Sequence, residues 1–249
     1  RAIEQADLDI TAISIHAYPH VRDRYRLTSC AGSFGDAYGP KLVTRAAAPS
    51  APADLARWII TTDPLIAVPG IHTTAYLALN LLVGKPFRHV EMRFDRIGPA
   101  VVKGDADLGV LIHDAQLTYA AEGLREIADL GRWWREAQSL PLPLGGNVIR
   151  RDIDDRFGAG ASERLTTVLY RSIRHAMDNM SEGLRRIRPL YPTLDDPTLI
   201  RYLGMYVNDL TLDPGPEGRR AIEALLGTGH KRGLCPDPGP IDIIEPRIP

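Results

Sequence analysis

A histidine that closes an apolar run is the residue best suited to catalysis in this sequence. The segment Gly109 to Ile112 has the pattern of a buried strand, and His113 follows it directly. Open α/β sheets bind their ligands outside the carboxyl ends of their strands. Among the seven histidines, His113 is therefore best placed for general acid–base work near neutral pH, and Asp114 could shift its pKa if the fold brings the two groups together. A structural histidine is the alternative that the residues alone leave open.

A strand that turns into a helix rich in hydroxyl groups is the second candidate. Residues 68–76 read Val-Pro-Gly-Ile-His-Thr-Thr-Ala-Tyr. Backbone N–H groups and the dipole at a helix start attract anions, so Thr74 and Ala75 are expected to hold a carboxylate or phosphate. Helix capping by Thr73 or Thr74 explains the same pattern equally well.

Polar residues also close an apolar run near the start of the chain, in the segment from Thr11 to Tyr18. Ser14 could donate a hydrogen bond to a ligand or bond only to its own turn. His16 and His20 are separated by Pro19, so they do not share a helical face as paired metal ligands would. No HExxH, GxSxG or Walker motif occurs, and the sequence predicts no metal site.

Strands and helices that alternate along the chain must position these residues. From Pro64 onward the pattern predicts strands at 65–68, 89–94 and 108–112 and helices at 73–83 and 95–103, an order that builds a parallel α/β sheet. Shorter β-type runs lie at 8–13 and 40–45, a helix surrounds Trp133, and an extended run covers 147–150. The Ala/Pro-rich stretch 46–53 and the Pro/Gly-rich stretch 141–146 are candidate boundaries. We therefore expect a first lobe of residues 1–46 plus 146–249 and a second α/β lobe of residues 47–145, with a ligand cleft between them.

The second half of the chain has a helical pattern. Further helices are expected at 197–207 and 217–226, followed by an extended strap at 235–249. Seven apolar residues recur at helical spacing and predict one buried stripe: Leu165, Val168, Leu169, Ile173, Ala176, Met177 and Met180.

Composition narrows the classes of protein and partner. The 249 residues are 44% hydrophobic, which is enough for one large core or two smaller ones. Thirty basic against thirty-one acidic residues leave a net charge of -1, so neither nucleic acid nor an anionic membrane is an expected partner, and a small molecule is favoured. No apolar run approaches the roughly 20 residues that cross a bilayer. The two distant cysteines, and a first segment without a signal-peptide pattern, favour a reducing cytosol.

Several blocks of this sequence resemble, in the same order, the 1,4-dihydroxy-6-naphthoate synthases of the futalosine route to menaquinone, and the likeness runs through nearly the whole chain. The matching blocks are residues 9–14 with 16–18, 33–35 with 38–40, 68–76, 94–97, 111–113, 129–131 with 133–134, 140–145, and 206–208 with 212–213.

The resemblance implies a periplasmic-binding-protein type II fold used as a cytosolic enzyme. Such enzymes split cyclic dehypoxanthine futalosine into 1,4-dihydroxy-6-naphthoate and a ribose-derived part, with no metal or organic cofactor. Carried over by position, His113 matches the catalytic base, and Thr74 and Ala75 match a cradle of backbone and hydroxyl groups. Ser14, with Ala12 and Ile13, matches the opposing substrate loop. The implied partner is a small molecule with a carboxylate and an aromatic ring.

Two departures from the family pattern stand out. Family members usually begin with another strand, helix and strand that include a Ser-Pro-Cys-Pro-Asn-Asp-Thr-like segment, and this chain starts after it. We expect either an incomplete chain or a first lobe that lacks part of its sheet. Ala12 stands where some relatives carry lysine, which puts a charged contact from that position in doubt but leaves backbone contacts.

Other functions stay open at this stage. Chorismate dehydratase of the same pathway is the second enzyme, although it lacks the His-Thr-Thr-Ala and Leu-Ile-His blocks. A solute-binding protein would use the same cleft without chemistry, and an export signal would favour it. The sequence also leaves open whether the protein forms a homodimer. It does not decide whether Trp133 or Trp134 lines a pocket for an aromatic ring.

Overall fold

The chain forms two compact units in a computed structural model that describes residues 2–5, 7–192 and 194–248. Unit 1 comprises Arg1–Phe34, Pro143–His230 and Cys235–Pro249. Unit 2 comprises Gly35–Leu142 and Lys231–Leu234. Within the described residues, no helix is both long and apolar enough to cross a membrane.

The first segment of unit 1 consists of short strands joined by turns and one 3₁₀ helix. It contains three strands, β1 (Ile10–Ser14), β2 (Tyr25–Thr28) and β3 (Ser33–Gly35), with a 3₁₀ helix (Ile15–His20) between the first two. Strand β1 falls within two residues of the run expected at 8–13.

Unit 2 is an α/β layer structure. Its strands are β4 (Lys41–Thr44), β5 (Ile66–Val68), β6 (His89–Glu91), β7 (Leu108–Leu111) and β8 (Arg125–Asp129). Its helices are α1 (Pro52–Thr62), α2 (Thr74–Val83), α3 (Phe94–Lys103), α4 (Ala115–Thr118) and α5 (Leu130–Gln138), with a 3₁₀ turn at Tyr119–Glu122. The strand order is β6-β5-β7-β4-β8, in which β5 runs parallel to both β6 and β7 while β4 is antiparallel to β7 and β8.

The chain then returns to unit 1. The long strand β9 (Leu142–Arg150) and the short β10 (Ile243–Ile244) complete a sheet of order β1-β9-β2-β10, in which β3 also pairs with β9. Strand β9 is antiparallel to β1 and β2. The helices of this part are α6 (Ile153–Phe157), α7 (Ala161–Asp178), α8 (Met180–Ile187), α9 (Asp196–Tyr206), α10 (Asp209–Leu212) and α11 (Gly215–Lys231), with a 3₁₀ turn at Arg188–Leu190.

One of the transitions between units differs from the expected boundaries. Composition favours a boundary after residue 46, but the chain enters unit 2 at Gly35. The reason is strand pairing, because β4 is hydrogen-bonded to β7 on one side and β8 on the other and so belongs inside the second sheet. The return to unit 1 at Pro143 lies close to the expected boundary at 146.

Glycine at one strand position sets how closely α3 packs on the unit 2 sheet. A Cβ at Gly109 of β7 would lie 2.7 Å from Cγ2 of Ile97 and 2.8 Å from Cγ2 of Val101. Both side chains belong to the buried cluster that also contains Val43 and Ala67. Only glycine permits this approach, and it holds α3 directly against the strand that leads to His113.

The stripe expected along residues 165–180 is wrong as a core prediction. Val168 is 63% exposed, Met180 is exposed and begins α8, and Leu165 is only half-buried. Helix α7 instead buries its first turns through Ala161, Ser162 and other small or polar residues, close to β9 and β10. Helix α7 is longer than the surface on which it packs. The helical spacing of apolar residues therefore continues into turns whose side chains unit 1 does not bury.

Two extended predictions need adjustment. Residues 142–146 are part of β9 rather than a boundary loop. Gly145 and Gly146 pair with Ser14 and Ile13 of β1, and β3 also pairs with β9, so strand pairing overrides the unfavourable proline and glycines. The strand expected at 89–94 stops at Glu91, and Phe94 begins α3. In the expected strap at 235–249, the described residues 235–248 contain no helix, and only β10 is regular extended structure. Gly239 has a φ of 54°, so this stretch is not continuously extended. Pro249 lies outside the described residues.

Candidate functional site

Three neighbouring parallel strands of unit 2 end at one edge of its sheet. In register, Ile66 of β5 is opposite His89 of β6 and Leu108 of β7. The segments that follow these strands, residues 69–73, 92–93 and 112–114, therefore leave the sheet at the same edge. This is the place where open α/β sheets bind ligands.

His113 leaves this edge in an unusual backbone conformation. Its φ angle is 58°, in the left-handed region that residues other than glycine rarely adopt. Its carbonyl oxygen accepts hydrogen bonds from the backbone N–H of Gln116 at 3.3 Å and from the Gln116 side-chain amide at 3.2 Å. These bonds hold the turn in shape after the strand ends.

An aromatic side chain packs on the imidazole. The ring centroids of Phe94 and His113 are 4.7 Å apart and the rings are inclined by 60°, an edge-to-face contact. Phe94 is the first residue of α3, and the close packing of that helix at Gly109 brings it to the strand end. Sequence reasoning did not single out Phe94, although it opens one of the blocks that carry the family resemblance.

The surroundings of His113 favour its neutral form. Burial lowers the pKa of its imidazole below the ordinary value near 6.5, and the Asp114 carboxylate opposes this with a smaller effect. An imidazole with a lowered pKa is mostly neutral at pH 7 and can accept a proton. Asp114 therefore shifts the pKa of His113, as the sequence suggested, but burial has the larger effect and lowers that pKa.

The turn before α2 shows which threonine caps the helix. The Thr73 hydroxyl accepts the backbone N–H of Tyr76 at 3.2 Å and donates to the carbonyl of Gly70 at 2.7 Å. Gly70 has a φ of 136°, which only glycine adopts readily, and Glu91 accepts the N–H of Ile71 at 3.0 Å. Thr73 is thus the N-cap of α2.

Thr74 and Ala75 form the first turn of α2. They are buried, with 2% and 3% of their surfaces exposed. Their position at the positive end of the helix dipole agrees with an anion cradle, but ligand binding there stays a prediction.

The third expected group lies in unit 1. Ala12, Ile13 and Ser14 are the last residues of β1, and they pair with Asn147, Gly146 and Gly145 of β9. Ala12 is exposed, while Ile13 and Ser14 are half-buried. Contact of these residues with the ligand of His113 and Thr74 stays a prediction.

A buried ion cluster lies at the same strand edge as His113. The ammonium group of Lys41, whose backbone pairs with Leu111, is 2.7 Å from a carboxylate oxygen of both Glu126 and Asp129. Burial alone would lower the pKa of Lys41, but the two carboxylates outweigh it and raise that pKa. Asp129 also caps α5 by accepting the N–H groups of Gly131 and Arg132. This cluster ties β4, β8 and α5 together. In the sequence, the signal for it was a lysine next to the apolar residues of a predicted strand.

The two neighbouring tryptophans differ in burial, and potential metal-binding groups can also be assessed. Trp134 is 1% exposed and belongs to the core, while Trp133 is half-buried, with the two rings 6.2 Å apart. Throughout residues 2–5, 7–192 and 194–248, no group of three histidine, cysteine or acidic residues is arranged to hold a metal ion.

The fold is that of periplasmic solute-binding proteins, as expected. A solved structure of the alkanesulfonate-binding protein SsuA from Xanthomonas axonopodis pv. citri matches with a TM-score of 0.67 and covers 98% of this chain and 83% of that one. Its sequence identity is 12%, so the match shows the fold alone.

Comparison with families and curated proteins gives a closer relationship. A family model described as menaquinone biosynthesis matches residues 1–231. The 1,4-dihydroxy-6-naphthoate synthase of Thermus thermophilus is 38% identical over 237 residues, which are 95% of this chain and 82% of that enzyme. The enzyme of the same name from Streptomyces coelicolor is 34% identical over 248 residues, which are 98% of this chain and 83% of that enzyme. The chain therefore belongs to the menaquinone-biosynthesis family that contains these 1,4-dihydroxy-6-naphthoate synthases.

Proposed function

We propose that this protein is itself a 1,4-dihydroxy-6-naphthoate synthase. It would be a carbon–carbon lyase that splits cyclic dehypoxanthine futalosine into 1,4-dihydroxy-6-naphthoate and a ribose-derived fragment. The names of the two curated relatives support the reaction. The observation that carries the mechanism is a half-buried histidine with a lowered pKa at the carboxyl end of β7.

His113 acts as the general base in this proposal. Its neutral imidazole removes a proton from the ribose-derived part of the substrate, and the electron pair left on that part starts the fragmentation. Phe94 packs on the imidazole edge-to-face and adds to its burial. Neither a metal nor an organic cofactor enters the proposal.

The substrate's carboxylate is assigned to the start of α2. Thr74 and Ala75 lie at the positive end of the helix dipole, where an anion is stabilised. Ala12, Ile13 and Ser14 of β1 are assigned to the substrate through the family resemblance. Ala12 contributes only backbone and methyl contacts, because its side chain carries no charge.

Replacing the base tests the mechanism directly. A general base commonly contributes about 10²- to 10⁴-fold in rate. His113→Asn should therefore lower turnover of cyclic dehypoxanthine futalosine by about that factor while product affinity changes little, since binding and chemistry separate. Chromatographic detection of the naphthoate measures turnover, and calorimetry with the naphthoate measures affinity.

A matched histidine variant serves as the control. His175 is exposed on α7 in unit 1, and His175→Asn should turn over substrate at the native rate. Folded His113→Asn with near-native turnover would refute the base assignment, and His16 or His72 would then be tested.

The same assay separates the competing functions. Turnover of chorismate instead of cyclic dehypoxanthine futalosine would identify a chorismate dehydratase. Binding of the naphthoate without turnover of either compound would indicate a solute-binding protein.

We further propose that the enzyme works in the cytoplasm. Fractionation of cells that express the full-length protein tests this. Sedimentation of the purified protein decides between a monomer and a homodimer.

A further inference from the structure

Two buried hydrogen-bond donors line one cavity of unit 1 that contains no residue of the candidate site. The cavity has a volume of about 610 Å³ and is formed by the 3₁₀ helix, the residue after β9 and the segment before β10. Its lining residues are Tyr18, Arg22, Asp23, Arg151, Pro240, Ile241 and Asp242.

The first donor is the hydroxyl group of Tyr18. The residue is 0% exposed, and its hydroxyl has no hydrogen-bond partner of good geometry among the described residues. The backbone N–H of Asp242 approaches the phenol oxygen without making a hydrogen bond of good geometry. The phenol hydrogen itself is therefore still without an acceptor.

The second donor is the Nη1 group of Arg22, which is buried and has no acceptor within the part of the chain that the structure describes. The guanidinium lies over Gly239, where a Cβ would come within 1.8 Å of Nη1. Its Nε is 3.6 Å from a carboxylate oxygen of Asp23, whose side chain is 92% exposed. That contact is too long for a hydrogen bond and is weakened by solvent.

The other carboxylate that lines the cavity, that of Asp242, already accepts two hydrogen bonds. Asp242 accepts Nε of Arg26 at 3.1 Å on one oxygen and Nη1 of Arg151 at 2.7 Å on the other. Arg151 also donates to the backbone carbonyl of Arg22 at 2.8 Å. The charged residues of the lining are balanced, with Arg22 and Arg151 against Asp23 and Asp242. Both oxygens of Asp242 are nevertheless taken by other arginines and the Asp23 side chain is 92% exposed, so neither carboxylate satisfies Nη1 of Arg22.

We propose that this cavity binds a small oxyanion, a phosphate or carboxylate group, through the Tyr18 hydroxyl and the Arg22 guanidinium. A guanidinium can only donate hydrogen bonds, and it matches the geometry of phosphate and carboxylate oxygens. An anion accepts hydrogen bonds from both buried donors and makes a charge-assisted bond to Arg22, whose contact with Asp23 is long and exposed, whereas water would satisfy the donors without that charge. The occupied site would tie the segment 239–242 to the 3₁₀ helix.

Calorimetric titration at constant ionic strength, with chloride as the balancing salt, tests the site. Inorganic phosphate and acetate are titrated separately, so that the two arms identify the preferred oxyanion. Saturable binding of at least one is expected. Tyr18→Phe and Arg22→Gln should each weaken that binding about tenfold or more, because each removes a hydrogen bond to a charged group. Arg185→Gln, at an exposed position on α8, should leave it unchanged.

Two outcomes would overturn the proposal. One is the lack of saturable binding of either anion to the native protein, which would mean that water fills the cavity. The other is binding that persists at native affinity in folded Tyr18→Phe. This variant keeps the buried ring and loses only the hydroxyl, so it decides the question even if Arg22→Gln fails to fold. The naphthoate assay plays no part in the test, so its result is independent of the proposed function.

Discussion

His113 combines backbone strain with a lowered side-chain pKa. A non-glycine residue in the left-handed region costs on the order of 1 kcal/mol or more, and such residues cluster at functional sites. The two hydrogen bonds from Gln116 to the His113 carbonyl oppose this strain. They fix the backbone turn that carries the imidazole, and the Phe94 ring packs against the imidazole itself.

The contact between Phe94 and His113 predicts a shift in the pH profile. Phe94→Ala removes part of the ring's cover, so the pKa of His113 should rise toward its ordinary value near 6.5. A histidine that acts as the proposed general base is active when neutral, so activity should be lost as pH falls through this pKa. The midpoint of that loss should therefore move to higher pH in the variant. Measurements of kcat/KM from pH 4 to pH 8 would show it.

Phe87→Ala provides the control for this profile. Phe87 packs on Tyr76 and His89 in unit 2, so the variant loses a ring of the same kind without removing cover from His113. Its acid midpoint should equal that of the native enzyme. A Phe94→Ala midpoint that stays in place would show that Phe94 does not set the pKa of His113.

The hydroxyl of Thr74 should contribute to binding of the substrate's carboxylate. Thr74→Val keeps the shape of the side chain and leaves the Thr73 cap intact. Product affinity should weaken by about 1 to 3 kcal/mol, the usual value for a hydrogen bond to a charged group. Thr166→Val, at a buried threonine of α7, should leave the affinity unchanged. Native affinity in Thr74→Val would mean that this hydroxyl serves packing alone.

At the scale of elements, the Lys41 cluster holds the strands beside β7 in place. Lys41 is 9% exposed, and the side chain of its partner Asp129 is 1% exposed. Removing one member of a buried ion pair leaves an uncompensated charge and commonly costs about 3 to 5 kcal/mol. Lys41→Met should lower the free energy of unfolding by that amount, as measured in urea.

Two further variants check this interpretation. Adding Asp129→Asn and Glu126→Gln to Lys41→Met should recover part of the loss, because the uncompensated charges are then gone. Arg186→Met removes an exposed ion pair with Glu182 on α8 and should have a much smaller effect. If Lys41→Met were no more harmful than Arg186→Met, the cluster would not anchor the sheet.

At the scale of the whole molecule, both units are expected to respond to the ligand. Hydrogen exchange with bound naphthoate should slow at residues 73–75 and 112–114 of unit 2. It should also slow at residues 12–14 of unit 1 if these contact substrate as the family resemblance implies. The start of α8, which carries none of the expected site residues, should exchange at the same rate with and without the naphthoate. Protection in unit 2 alone would remove Ala12, Ile13 and Ser14 from the site.

Much of unit 2 could be predicted from sequence because its elements are short and clearly delimited. Thr73 caps α2, Gly84 ends it with a φ of 73°, and Gly104 ends α3 with a φ of 88°. Such local signals fix a helix within a residue or two. The apolar run before His113 was similarly clear, so its place at a strand end was predictable.

The sequence by itself determined the alternation of strands and helices around 64–112, the family and the position of His113 at the end of β7. These depend on contacts between residues close in the chain, or on blocks matched in order. Only the tertiary structure decided what packs on His113, since Phe94 reaches it through the packing of α3 on Gly109. It also decided that Lys41 is paired, that β4 belongs to unit 2 and that the stripe on α7 is uncovered. Those facts depend on residues far apart in sequence, where neither spacing nor periodicity records which surfaces meet.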